Sequence, residues 1–130
     1  MVTEEDKKLL EQFQMSQQQL QGIMIQKENL KLQIIEIDRV LEELEANKEK
    51  EAYKITGTIM IKKSSEDLKN ELKERKENYN LRIKTLEKAE NRITNSLKEM
   101  EPKLREIIKE GWSYEELRTY NQVIDSYNRR

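Results

Sequence analysis

The sequence predicts a mainly α-helical protein: a long antiparallel two-helix coiled coil with one β-hairpin at its closed end. Charged residues make up 39% of the 130 residues and hydrophobic residues 35%, whereas globular domains average roughly 25% and 45–50%. Three glycines and one proline are too few for a compact fold with many turns. Apolar residues recur at steps of four and three in both halves of the chain, which indicates coiled-coil helices rather than disorder.

The first helix is predicted over about residues 4–47. Thr3, followed three residues later by Asp6, has the spacing of a capping box at its start. The heptad seam is apolar except at Ser16 and Lys27, so one face of this helix is built to pack against a partner helix. Its positions are Leu9, Phe13, Ser16, Leu20, Ile23, Lys27, Leu30, Ile34, Ile37, Leu41 and Leu44.

The second helix is predicted over about residues 65–110, with Ser64 and Asp67 as its start signal. Its seam is apolar except at Lys76 and Glu90. Because the two helices have equal predicted lengths, we expect them to fold back on each other as an antiparallel pair. The seam positions are Leu72, Lys76, Tyr79, Ile83, Leu86, Glu90, Ile93, Leu97, Met100, Leu104 and Ile107.

The connector over about residues 52–63 is predicted to form the hairpin. Apolar residues alternate with polar ones on both sides of Gly57, which is the pattern of two short strands around a turn. A lone two-stranded hairpin is marginal in water, and its open edges promote association with other chains. We therefore predict an obligate oligomer, with assembly assigned to Tyr53, Ile55, Gly57, Ile59, Met60 and Ile61.

The composition excludes several classes of function. The chain has no cysteine and no histidine, which removes disulfides, thiolate chemistry and zinc sites built on those residues. The 25 basic and 26 acidic residues nearly cancel, so no nucleic-acid partner is expected. No apolar run is long enough for a membrane span. We expect a cytoplasmic protein with no cofactor and no metal. It is not expected to be an enzyme, because two packed helices offer no cleft that would perturb a pKa.

The hairpin and its flanking helices resemble the beta class of prefoldin subunits. The pattern Tyr53-Lys54-x-x-Gly57-x-Ile59-x-Ile61-Lys62 carries the resemblance. Stretches 12–21, 41–44 and 81–88 are similar to that family too. The resemblance covers roughly residues 5–108. A single hairpin is typical of the beta class, and a chain with so little sequence beyond the core resembles archaeal members.

The resemblance implies an assembly and an activity. Prefoldin is a hetero-hexamer of two alpha and four beta subunits, in which the hairpins assemble into inter-subunit β-barrels. The coiled-coil tips capture unfolded client proteins without ATP, as a holdase, and deliver them to a group II chaperonin. The alternative function is a structural coiled-coil adaptor, multimerised by its hairpin and binding one folded partner.

Contact with unfolded protein is assigned to apolar residues at the open end of the helix pair. Fraying of the helix ends would present them as an adaptable surface. The seam residues among them can equally well pack only on each other. Three of the set, Leu10, Met15 and Ile108, are predicted to lie off the seam. The full set is Leu9, Leu10, Phe13, Met15, Leu104, Ile107, Ile108 and Trp112.

Two further features of the helices lead to expectations. Lys27 and Glu90 are seam positions of opposite charge, whose pairing would set the helix register; alternatively, both side chains turn outward to water. Ile25 and Leu32 lie opposite the seam, either as isolated surface residues or as a wall facing neighbouring coils.

The predicted coiled-coil domain spans residues 1–110. Residues 111–130 depart from the family core and are predicted to form a C-terminal extension with a short helix. Ser113 and Glu116 have capping-box spacing at its start.

Overall fold

The computed structural model describes residues 3–47 and 51–109, together with Arg118 and Gln122. It confirms the predicted fold class, two long helices joined through one antiparallel hairpin. The predicted helix in the C-terminal extension lies outside the described residues, apart from those last two. The elements, in order, are α1 (Glu4–Ala46), β1 (Glu51–Thr56), β2 (Ile59–Ser64) and α2 (Ser65–Lys109).

Both helices begin at a side-chain cap. The Asp6 backbone N–H donates to Thr3 Oγ1, and the Thr3 N–H donates to Asp6 Oδ2, each at 3.1 Å. This is the reciprocal capping box that the spacing predicts. At α2, the Asp67 N–H donates to Ser64 Oγ at 3.1 Å. Such caps each contribute about 1 kcal/mol by satisfying backbone donors that the helix leaves unpaired.

The chain divides into two compact units. The terminal unit comprises Met1–Ile25 and Glu87–Arg130, and the hairpin unit comprises Gln26–Leu86. In the terminal unit, α1 and α2 share a core of fully buried side chains, flanked by half-buried Leu9, Leu10, Ile93, Met100 and Ile107. Each buried side chain of this kind contributes about 1.5–3 kcal/mol. The fully buried residues are Phe13, Leu20, Leu97 and Leu104.

The hairpin unit has its own core, in which Ile37 of α1 packs with Leu68 and Leu72 of α2. Leu68 lies one turn before the predicted start of the second seam. Ion pairs also join the two helices in this unit. Lys76 Nζ is 2.7 Å from Asp38 Oδ1 and Lys69 Nζ is 3.2 Å from Glu45 Oε1. Lys76 therefore fills its seam position by directing its ammonium group to a carboxylate on the other helix. Leu41, Leu44, Ala52 and Tyr79 pack around this core.

The hairpin is closed by a two-residue turn at Gly57 and Thr58. Gly57 has a φ of 62°, the left-handed backbone that the tight hairpin turns require at their first central residue. A Cβ added there would contact nothing within 4 Å, so only backbone strain opposes another residue. The paired residues are Glu51 with Ser64, Ala52 with Lys63, Tyr53 with Lys62, Lys54 with Ile61, Ile55 with Met60 and Thr56 with Ile59.

Candidate functional site

The strand register divides the hairpin into two faces. Directly paired residues of antiparallel strands share a face, and alternate residues along a strand share it too. In the sequence, the apolar residues alternate with polar ones on both sides of Gly57. The register places them on different faces of the hairpin, because Ile59 and Ile61 are on the other face from Tyr53 and Ile55. The Tyr53 face consists of Glu51, Tyr53, Ile55, Met60, Lys62 and Ser64, and the Lys54 face of Ala52, Lys54, Thr56, Ile59, Ile61 and Lys63.

The Tyr53 face carries the largest exposed apolar side chains of the hairpin. Tyr53 is 61% exposed, Ile55 70% and Met60 63%. On the Lys54 face, Ile59 is 63% exposed and Ile61 42%. A soluble monomer rarely leaves such a contiguous apolar surface in water, and patches of this kind mark sites of protein–protein contact. The hairpin therefore has the composition of an interface that the single chain leaves uncovered.

The base of the Lys54 face is tied to α2 through Glu71. Lys54 Nζ donates to Glu71 Oε1, and Lys63 Nζ donates to Glu71 Oε2 at 2.8 Å. Arg75, one turn further along α2, approaches Oε1 at 3.5 Å. One carboxylate thus contacts a lysine from each strand of the hairpin and an arginine from its own helix. We call Glu71, Lys54, Lys63 and Arg75 the hairpin clamp.

The hairpin clamp changes the ionisation of its carboxylate. The hydrogen bond from Lys54, followed by that from Lys63, lowers the pKa of Glu71 from 4.5 to about 2. Partial burial works in the opposite direction and is outweighed. Glu71 is therefore ionised at any neutral or mildly acidic pH, and the clamp is intact there.

Sequence reasoning missed the hairpin clamp. The spacing of Glu71 and Arg75 is a recognisable helical i, i+4 pair, but nothing local indicates that two hairpin lysines converge on the same carboxylate. That convergence depends on how the hairpin folds back beside α2.

A shallow groove continues the Tyr53 face onto the helices of the hairpin unit. Ile55 forms part of its wall, together with Val40 of α1 and Leu72 and Tyr79 of α2. Arg75, a member of the hairpin clamp, also lines it. The exposed apolar surface of the hairpin therefore extends onto the coil. The remaining lining residues are Gln33, Glu36, Ile37 and Arg39.

The predicted client-contact residues occupy three different environments in the terminal unit. Phe13 and Leu104 are fully buried in its core. Leu9, Leu10 and Ile107 are half-buried against that core. Leu10 was predicted to lie off the seam, but its packing against the core makes it part of the helix-pair contact. The seam residues therefore pack on each other, with Leu9 and Ile107 still partly accessible.

Met15 is the predicted client-contact residue that the structure leaves most accessible. Its side chain is 60% exposed, as its position off the seam predicts. Ile108 lies within α2, but its side chain is outside the described part of the chain, as is Trp112. A client-contact role for all of these residues stays a prediction.

The helices carry further exposed apolar residues outside the predicted sites. Ile25 and Leu32 are exposed, as their positions opposite the seam predict. Sequence reasoning did not single out the exposed side chains of Met24, Ile35, Val40 and Leu81. Isolated apolar residues outside the seam are a weak signal of a functional site, because scattered surface exposure of this kind is ordinary.

The predicted seam pair falls in two different units. Lys27 belongs to the hairpin unit and Glu90 to the terminal unit. Both are half-buried. Their role in setting the helix register stays a prediction.

The described residues also bear on other classes of function. Within residues 3–47 and 51–109, no cluster of three or more His, Cys, Asp or Glu is arranged to hold a metal ion. Neither described helix contains a stretch apolar enough to span a bilayer.

The sequence is similar to known prefoldin subunits. The family model described as prefoldin subunit matches residues 7–111. A prefoldin subunit beta from Archaeoglobus fulgidus is 36% identical over 77% of this chain and 87% of the relative. The prefoldin subunit beta of Thermococcus onnurineus is 35% identical over 75% of this chain and 84% of the relative.

A solved structure shares the fold. The crystal structure of the prefoldin beta subunit from Thermococcus strain KS-1 aligns with a TM-score of 0.71 and 29% sequence identity. The alignment covers 82% of this chain and 94% of the other. The similarity thus includes the order of the elements: helix, single hairpin, helix.

Proposed function

Because this chain belongs to the prefoldin subunit family, we propose that it is the beta-class subunit of an ATP-independent holdase. The family supports a chaperone role of a non-enzymatic kind. The finer statement, capture of unfolded client proteins at the coil ends, is our proposal. The observation that carries it is that the hairpin exposes apolar side chains and that the helices of the terminal unit carry their own cluster of apolar residues.

Assembly is proposed to occur through the hairpin. The exposed side chains of Tyr53, Ile55 and Met60 would lose their contact with water when hairpins of several subunits pair. Pairing would also satisfy the open strand edges, which a two-stranded hairpin cannot do alone. The partners we propose are alpha-class prefoldin subunits, in a hetero-hexamer of two alpha and four beta chains.

Client capture is proposed to occur at the ends of α1 and α2 in the terminal unit. Met15 is exposed there, and half-buried Leu9, Leu10 and Ile107 would be uncovered by fraying of the last turns. The long unbranched side chain of methionine adapts to varied surfaces. Several weak sites on one hexamer would then retain a client by avidity without any single strong pocket.

The remaining parts of the proposal concern delivery and location. Captured clients would pass to a group II chaperonin, and the complex would act in the cytoplasm. We propose that neither capture nor release uses a cofactor.

Suppression of aggregation tests the proposal directly. The chain would be mixed with an alpha-class prefoldin subunit, and a denatured protein diluted in without nucleotide while light scattering is followed. Full suppression near one hexamer per client molecule is expected. A hexamer of the correct mass that leaves aggregation unchanged would refute the holdase activity while leaving the architecture intact.

Substitutions at the helix ends test the client surface. The triple variant Leu10→Ser, Met15→Ser and Ile108→Ser should lose most of the suppression while the hexamer mass is unchanged. The matched control is Leu81→Ser, which removes an exposed apolar side chain from the hairpin unit and should retain the activity. Equal suppression by the triple variant and the control would place client binding elsewhere.

The adaptor function is the second candidate, and one observation favours it. Phe13 and Leu104 are fully buried, so the closed helix pair offers an unfolded client mainly the surface around Met15. A surface of fixed shape suits one folded partner better than many unfolded chains. Client breadth separates the two functions, because a holdase suppresses aggregation of several unrelated denatured proteins and an adaptor does not.

A further inference from the structure

We propose that Glu71 orients the hairpin for subunit assembly, by holding the Lys54 face towards α2 and presenting the Tyr53 face to the hairpin of a neighbouring subunit. This inference rests on the proposed assembly through the hairpin. It assigns a positioning role to a residue on α2, outside the strands that make the proposed contact.

The attachment has two points, one on each strand. Lys54 of β1 reaches one oxygen of the Glu71 carboxylate and Lys63 of β2 reaches the other. A single contact would let the hairpin rotate about it, whereas two contacts on different strands restrain both its distance and its roll relative to α2. Both lysines belong to the Lys54 face by register, so the same two contacts hold that face against α2 and leave Tyr53 and Met60 exposed.

Apolar packing does little to set the direction of the hairpin. Ala52 is the one hairpin residue that packs in the core of the hairpin unit, among the residues that the structure describes. Chain continuity joins β2 directly to α2 at Ser64 and Ser65, and the Ser64 side chain caps α2 at that junction. Most other hairpin side chains are exposed. The orientation therefore depends on the lysine contacts more than on apolar packing.

The clamp ion pairs are better shielded from solvent than the other ion pair of the hairpin. The Glu71 side chain is 27% exposed, and those of Lys54 and Lys63 are 29% and 35% exposed. Lys62 and Glu51, paired at 2.8 Å on the Tyr53 face, are 57% and 60% exposed. Because water and salt screen exposed pairs strongly, we expect the clamp to persist where the Lys62–Glu51 pair contributes little.

The orientation has a consequence for the surface offered to a partner. With the Lys54 face directed towards α2, Tyr53, Ile55 and Met60 form one continuous apolar strip. Ile55 connects this strip to the groove walled by Val40 and Tyr79. We assign this strip to contact with the hairpin of the adjoining subunit. The strip is continuous with the proposed assembly surface, and it lies on strands whose outer edges are open. A restrained hairpin also loses less conformational freedom when it binds.

The test compares Glu71→Gln with a matched control on the same helix. Glu71→Gln retains the size of the side chain and removes the charge that holds two lysines. The control is Glu74→Gln, at an exposed position that makes no ion pair with the described residues. Both variants should retain the helix content of the wild type by circular dichroism.

Hairpin orientation can be measured in the chain itself. The sequence contains no cysteine, so cysteines introduced at exposed Thr58 and Glu77 would be unique sites for spin labels. Pulsed electron spin resonance should give a narrow distance distribution in the wild type and with Glu74→Gln. Glu71→Gln should broaden it. An unchanged distribution with Glu71→Gln would overturn the proposal.

Assembly is then measured with the alpha-class subunit. Glu71→Gln should weaken hexamer formation about tenfold or more, because a hairpin that is no longer restrained loses more conformational freedom when it binds, and Glu74→Gln should not. A broadened distribution with unchanged assembly would overturn the link between orientation and assembly. A wild-type chain that fails to assemble would refute the proposed function itself, a result that is distinct from both.

Discussion

The substitution Ile55→Lys tests assembly through the Tyr53 face. Ile55 is 70% exposed in the single chain, so the lysine should change the stability of the isolated subunit by less than about 0.5 kcal/mol. Its effect should instead appear on association. This separation makes Ile55 a better probe than a core residue, whose substitution would unfold the chain and remove assembly indirectly.

The magnitude follows from the area that assembly would bury. Full burial of an isoleucine side chain contributes about 1.5–3 kcal/mol, so covering the exposed 70% contributes about 1–2 kcal/mol for each hairpin. A lysine loses this contribution and places an ammonium group against apolar neighbours, which adds at least about 1 kcal/mol even if the side chain extends to water. The total of about 2–3 kcal/mol corresponds to a roughly 30- to 150-fold weaker association for each contact.

The assay is light scattering coupled to size-exclusion chromatography over a range of concentrations, with the alpha-class subunit present. The matched control is Leu32→Lys, which introduces the same charge at an exposed apolar position of α1 in the hairpin unit. Ile55→Lys should elute as separate subunits at concentrations where the wild type and Leu32→Lys form hexamers. Assembly of Ile55→Lys at the wild-type concentration would refute the assignment of the Tyr53 face to the interface.

Three further predictions concern the stability of the chain. Leu97→Ala removes a fully buried side chain from the terminal core and should lower the free energy of unfolding by about 2–4 kcal/mol in urea titrations; a loss below about 1 kcal/mol would mean that the two helices do not hold each other there. Glu71 has a pKa lowered to about 2, so its ion pairs stabilise the fold above about pH 4.5, and this stabilisation fades as the pH falls towards 2 because the unfolded state takes up the proton first. Wild type should therefore exceed Glu71→Gln by about 1–2 kcal/mol at pH 6, discounted for solvent exposure, and by much less at pH 3; a constant difference would contradict the lowered pKa. Gly57→Ala should destabilise the hairpin by about 1–2 kcal/mol through strain at a φ of 62°, detectable as faster amide exchange in both strands, whereas unchanged exchange would show that the turn accepts a side chain.

The elements of the fold could be predicted because each depends on local chemistry. The seams follow from apolar spacing, the helix starts from Thr3 and Ser64, and the turn from a single glycine between alternating residues. These signals need only a few neighbouring residues to be meaningful. The buried residues Phe13 and Leu104 were correctly placed on the seam for the same reason, although a seam position does not indicate whether a residue stays packed or meets a client.

The candidate site was predictable in composition but not in geometry. The apolar strand residues were identified, yet their division between two faces depends on the register that the Gly57 turn imposes, because side chains alternate with a period of two. The packing of Leu10 against the terminal core depends on the position of the second helix.

The helices, their caps, the single hairpin and the apolar character of both candidate surfaces can be predicted from the sequence, because periodicity and turn chemistry act between residues that are close along the chain. The convergence of Lys54 and Lys63 on Glu71, and the placement of Ile59 and Ile55 on different faces of the hairpin, become visible only in the folded chain. The physical reason is that these contacts join residues on different elements. An ion pair between separate elements exists only once the chain has folded back and brought both groups within a few ångströms of each other.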